Sequence, residues 1–121
     1  MTELFVRANN EYPGIEYLIA DVESEKVLWH RFLFCRDVSV DVASFLAMAH
    51  AATLIKSNFA HCKITTMSQQ AINWFKKGEV GEIVTDSLIQ KKLADAIALI
   101  NANIQYQLIQ LNYLPKPKWM K

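Results

Sequence analysis

The hydrophobic period of this chain changes once, near Ser39. Before that point short β-forming runs alternate with turn chemistry, and after it apolar residues recur at helical spacing, so the chain must combine sheet and helix in one architecture. Glu3 to Ala8 (ELFVRA) reads as a strand. The next six residues, Asn9-Asn10-Glu11-Tyr12-Pro13-Gly14, are turn formers. Ile15 to Asp21 and Lys26 to Phe34 then read as two more strands, joined by the charged connector Val22 to Glu25, whose length suits a hairpin. Three antiparallel strands are expected.

Past the switch, Val42, Phe45, Leu46, Ala49 and Thr53 share one helical face, with Ser39 as cap and Asp41 in the first turn, predicting a helix to about Ser57. Lys63 to Met67 is a compact β-branched run, hence a buried strand. Ser68 opens a second helix through Lys77 that carries Ala71, Ile72, Trp74 and Phe75, and Gly78 stops it. Lys76 to Thr85, with Gly78 and Gly81, reads as the most mobile loop. Leu88, Ile89, Leu93, Ala96, Ile97 and Ile100 predict a third helix over Asp86 to Asn103, capped by Thr85 or Asp86. Gln105 to Asn112 alternates polar and apolar residues as a strand does, and Pro115 and Pro117 leave 114–121 an extended tail. The expected fold is α/β: a mixed five-stranded sheet with helices on its faces, and Trp29, Phe32, Phe34 and Phe45 in its core.

Length and composition narrow the class. With 121 residues, 52% apolar and 21% charged, the chain suits a single domain over 1–121 with a packed core. A net charge of +1 makes no overall electrostatic case for a nucleic-acid or membrane partner. The halves differ: residues 1–37 carry seven acids and four bases, and residues 38–121 five acids and nine bases. That difference marks either a positive surface or ordinary exposed helical lysines. Met1 to Asn10 lacks a leader pattern, and Val42 to Ile55 falls short of the roughly 18 apolar residues of a membrane span. A cytoplasmic protein is expected, with Cys35 and Cys62 as reduced core thiols. His30, His50 and His61 lack metal-site spacing and read as structural, so no cofactor is expected.

Three segments carry a family resemblance. LFVRANNEYPG at 4–14, SVDVASFLAMAHAATLIK at 39–56 and ITTMSQQAINWFKKG at 64–78 together resemble the ribonuclease H family, in particular a compact bacterial branch without the extra basic helix. The resemblance implies hydrolysis of the RNA strand of RNA–DNA hybrids by two divalent ions on clustered carboxylates, because hard Mg²⁺ takes oxygen ligands. This chain departs from that pattern at each position. Arg7 stands where the first Asp is expected, Ser44 where the helical Glu is expected, and Met67 where an Asp precedes Ser68. The last acid has no counterpart in LPKPKWMK at 114–121.

A guanidinium repels a divalent ion, and a hydroxyl and a thioether do not replace anionic oxygen. The expectation is therefore a ribonuclease H-like domain without two-metal catalysis. It would act as a non-catalytic nucleic-acid-binding module, on a hybrid or duplex, or alternatively as a protein-interaction scaffold or homodimer through an exposed strand or tail. A third alternative is a nuclease whose acids relocate from Glu3, Glu11, Asp21 or Asp41, of which Asp41 is expected to face out of the helix start. Arg7, Ser44 and Met67 are expected to converge, flanked by Asn9, Asn10, Ser39, Ser68 and Gln69. Arg7 would either grip a phosphate or partner carboxylate bidentately or pair internally with Glu3 or Asp21. Lys76, Lys77, Lys116, Lys118 and Lys121, with Trp74 and Trp119, would either contact a nucleic-acid backbone and its bases or form a solvated helix end and tail.

Overall fold

The structure is a computed structural model and describes residues 2–56 and 58–115. Five strands, Thr2–Glu11 (β1), Gly14–Asp21 (β2), Lys26–Phe34 (β3), Cys62–Thr66 (β4) and Gln110–Tyr113 (β5), form one sheet in the order β3-β2-β1-β4-β5. β1, β2 and β3 pair antiparallel, whereas β4 runs parallel to both β1 and β5. Three helices complete it: Val40–Thr53 (α1), Gln69–Lys77 (α2) and Ser87–Ala102 (α3).

Each helix begins where a side-chain oxygen meets free backbone N–H groups. Ser39 accepts from Val42 N, Ser68 from Ala71 N and Asp86 from Ile89 N, as N-caps do. Gly78 ends α2 in the left-handed region at φ 70°, where a side chain is strained. α1 is apolar nearly all round, with ten of its fourteen residues buried, so it forms the centre of the core rather than a surface. Leu4, Val6 and Ala8 of β1 meet it with Ile15, Tyr17 and Ile19 of β2 and Ile64 of β4. Phe45, Met48, Phe75 and Ile89 are fully buried there, each contributing about 1.5–3 kcal/mol of transfer free energy.

Several expectations need correction. β1 does not stop at Ala8: it pairs with β2 through Glu11, and the hairpin closes at Tyr12-Pro13, a cis peptide. α1 ends at Thr53 rather than near Ser57, and β4 covers Cys62–Thr66. Gln105 to Asn112 is not one strand. Ile104–Leu108 winds into a short 3-10 helix that buries Tyr106, and only Gln110–Tyr113 joins the sheet. Trp29 and Phe34 are not core residues, at 44% and 72% exposure, because β3 is an edge strand; Phe32 is half-buried, and Phe45 is fully buried as expected. In the segment expected to be a tail, Leu114 N still donates to Thr66 O, extending the β4 pairing by one residue. No described helix is long and apolar enough to cross a membrane.

Candidate functional site

The sheet order puts the carboxyl ends of β1 and β4 side by side. The parallel register pairs Val6 with Thr66, so Arg7 and Met67 come next to each other at the point where β4 ends and α2 begins. Side chains alternate along β1: Leu4, Val6 and Ala8 join the helical core, and Arg7 and Asn9 point to the opposite face. There Glu16 of β2 receives both, with Arg7 Nη2 3.6 Å from Glu16 Oε1 and Asn9 Nδ2 donating to the same oxygen at 3.4 Å. His30 of β3 meets the other carboxylate oxygen at 2.9 Å. The His30 hydrogen bond and, less strongly, Asn9 and the nearby cations hold Glu16 below the usual carboxylate range against the opposing effect of burial.

Arg7 therefore has an internal partner, but neither of the two expected ones. Glu3 pairs with Lys63 at 3.5 Å, and Asp21 accepts from the Ser24 hydroxyl and backbone N–H in the β2–β3 connector. The signal for Glu16 lies in the hairpin register. Once β1 runs to Glu11, a two-residue turn pairs Asn9 with Glu16 and puts Glu16 diagonal to Arg7. Ending the strand at Ala8 hides that relation. The Arg7 Nε is buried without a hydrogen-bond partner, while the side chain as a whole keeps 28% of its surface exposed.

The other expected positions divide. Ser44 is buried within α1 at 2% exposure, and among the described residues no hydrogen bond joins Arg7, Ser44 and Met67. Met67 is half-buried. Ser39 donates to Glu82 at 3.1 Å, and Ser68 donates to Asp41 at 2.7 Å, so Asp41 faces the start of α2 instead of facing outward. Gln69 bonds Asn73 on its own helix, and Asn10 is exposed at the end of β1. Lys76 and Lys77 are exposed in the last turn of α2, where Trp74 is buried against Phe45. Lys116, Lys118, Trp119 and Lys121 lie outside the described residues.

These side chains do not fit a pair of magnesium ions. Glu16 already serves Arg7, Asn9 and His30, Asp41 serves Ser68, and Glu3 serves Lys63, so these three carboxylates each have partners of their own. Among the described residues no three of His, Cys, Asp and Glu gather as a metal-binding group. A two-ion site needs several such oxygens around one point.

The architecture nevertheless has close counterparts in shape. The chain matches no protein-family profile and no curated protein. Among solved structures it superposes on the LC11 ribonuclease H1 isolated from compost with a TM-score of 0.54 at 9% identity, covering 97% of this chain and 84% of that one. The crystal structure of the same enzyme in complex with RNA/DNA hybrid gives 0.53 at 12% identity, covering 96% and 86%. The foamy viral protease-reverse transcriptase in complex with RNA/DNA hybrid gives 0.51 at 14%, with 97% of this chain on 18% of that one. The fold is that of ribonuclease H: three antiparallel strands, then two parallel ones, with the helices between them.

Proposed function

We propose that this chain is a divergent ribonuclease H-type domain that binds nucleic acid and does not perform two-metal hydrolysis. One observation carries the reading. Where the family resemblance calls for the first metal-holding carboxylate, β1 presents the Arg7 guanidinium, held beside Glu16. A fixed cation there disfavours Mg²⁺ and favours a phosphate, whose oxygens accept the paired N–H groups that a metal site would leave unused. The similar solved proteins that hold RNA/DNA hybrid support the partner class, with Lys76 and Lys77 as further backbone contacts. Cys35 is a free thiol, which supports a reducing, cytoplasmic setting.

The test is fluorescence anisotropy with a labelled RNA–DNA hybrid, run in EDTA and in Mg²⁺ or Mn²⁺. Binding without metal is expected, weakening with salt by a slope of about −0.9 per neutralised phosphate. Arg7→Ala, or Lys76→Ala with Lys77→Ala, should lower that slope by about one per charge removed. Absence of binding at low salt overturns the proposal, and so does metal-dependent cleavage of the hybrid.

A second reading has its own observation. β3 is an edge strand that exposes Val27, Leu28 and Trp29, with Phe34 at its end, and an apolar edge invites pairing with a second copy. Sedimentation at micromolar concentration decides it, since a dimer abolished by Leu28→Lys supports this reading and a monomer rejects it.

A further inference from the structure

On the helix-covered side of the sheet, away from Arg7, a cleft of about 260 Å³ opens between α1, α3 and the β2–β3 pair. Its apolar lining comes from Leu33, Leu46 and Leu99, and its polar lining includes Tyr17, Arg31, His50, Lys92 and Asp95. Strand register explains part of this grouping. Tyr17 and Arg31 are direct cross-strand partners. The Tyr17 phenol lies 2.8 Å from His50 Nδ1.

Charge settles what such a cleft can take. Neither Arg31 nor Lys92 forms an ion pair among the described residues, although Arg31 is half-buried and Asp95 lines the same cleft. Two cations against one carboxylate leave a single positive charge next to an apolar wall, and a half-buried guanidinium without a counter-ion is costly. Burial, with Arg31 and Lys92, pushes the His50 imidazole below its ordinary pKa, which disfavours a further positive charge in the cleft. We propose that this cleft binds a small organic monoanion, a carboxylate carried on an apolar body, with its head between Arg31 and Lys92 and its body on Leu33, Leu46 and Leu99. The site lies on the opposite face from Arg7, so it stands or falls independently of the nucleic-acid reading.

The experiment is a ¹H–¹⁵N NMR titration of the full chain with 4-phenylbutyrate, using 4-phenylbutan-1-ol as the body without the charge and acetate as the head without the body. Saturable shifts confined to amides around Tyr17, Arg31, His50, Lys92 and Leu99 are expected, with both controls at least about tenfold weaker. Arg31→Gln combined with Lys92→Gln should weaken binding about tenfold or more. Ala96→Phe, which fills the cleft while leaving both cations, should abolish it; the same spectra show that each variant is folded. The proposal is overturned if no shifts saturate at those amides, if the alcohol binds as tightly as the acid, or if the double glutamine variant binds unchanged.

Discussion

The Ser68 hydroxyl donates to Asp41 Oδ1 at 2.7 Å while it accepts from Ala71 N at 3.0 Å. One side chain thus closes the first turn of α2 and ties it to the first turn of α1, at the end of β4 where the family resemblance implies a metal-holding Asp. A carboxylate is present at this junction, but it works as a structural acceptor. Asp41 also complements the positive end of the α1 dipole.

Ser68→Ala should therefore cost about 1–2 kcal/mol, at the upper end of a lost N-cap, because the half-buried Asp41 loses its donor as well. Urea denaturation measures it. A cycle with Asp41→Ala should show a coupling of at least about 0.5 kcal/mol, and strictly additive losses would mean that the two helices are not joined through this bond.

Much of this arrangement is written in the sequence, and what is hidden depends on long-range placement. The three N-caps Ser39, Ser68 and Asp86 are local chemistry and stand where the pattern puts them. Asp41 looked outward because nothing in the chain itself says that Ser68, 27 residues away, comes to meet it. QYQLIQLN alternates like a strand, yet Tyr106 and Ile109 are buried three residues apart, as a 3-10 turn requires. Trp29 and Phe34 show the same limit: their β-forming character is local, whereas the edge position of β3 belongs to the whole sheet. The cleft of Arg31 and Lys92 joins residues 61 apart on a strand and a helix, and no motif spans that distance.

Gly14 marks a close approach. It opens β2 opposite Phe34, and a Cβ there would overlap the Leu33 carbonyl oxygen, which is backbone and cannot swing aside. Gly14→Ala should destabilise the fold by more than about 2 kcal/mol, beyond any gain from a stiffer unfolded chain. Thermal melting checks this, and an unchanged Tm would place β3 farther from β2 than the pairing here.

Glu16 sets an acid limit. Its folded pKa lies below its ordinary 4.5, so its contribution is present above pH 4.5 and is lost as pH falls through the lowered value. Glu16→Gln should lower Tm by a constant amount above pH 5, and the difference from the parent should close in the acid range below 4.5. A gap that stays constant down to pH 3 would show that the ion pairs with Arg7 and His30 contribute nothing.

His50 acts in a separate window. Burial, then Arg31 and Lys92, hold its folded pKa below the ordinary 6.5, while Tyr17 and Trp29 pack against the ring. Asp95 lines the same cleft and, among the described residues that line it, is the only acid to oppose those cations. The unfolded chain therefore binds the proton more readily, and stability must fall as pH drops through 6.5 toward the folded value, with no His50 contribution to the slope above that range. His50→Gln should cost about 1 kcal/mol at pH 7.5 through the Tyr17 hydrogen bond, yet its Tm should decline less than the parent's between pH 7 and pH 5. Glu16 does not confuse the comparison, because its window opens only below 4.5. If parent and variant decline in parallel, His50 titrates alike in the folded and unfolded chains, and the lowering by burial, Arg31 and Lys92 is absent.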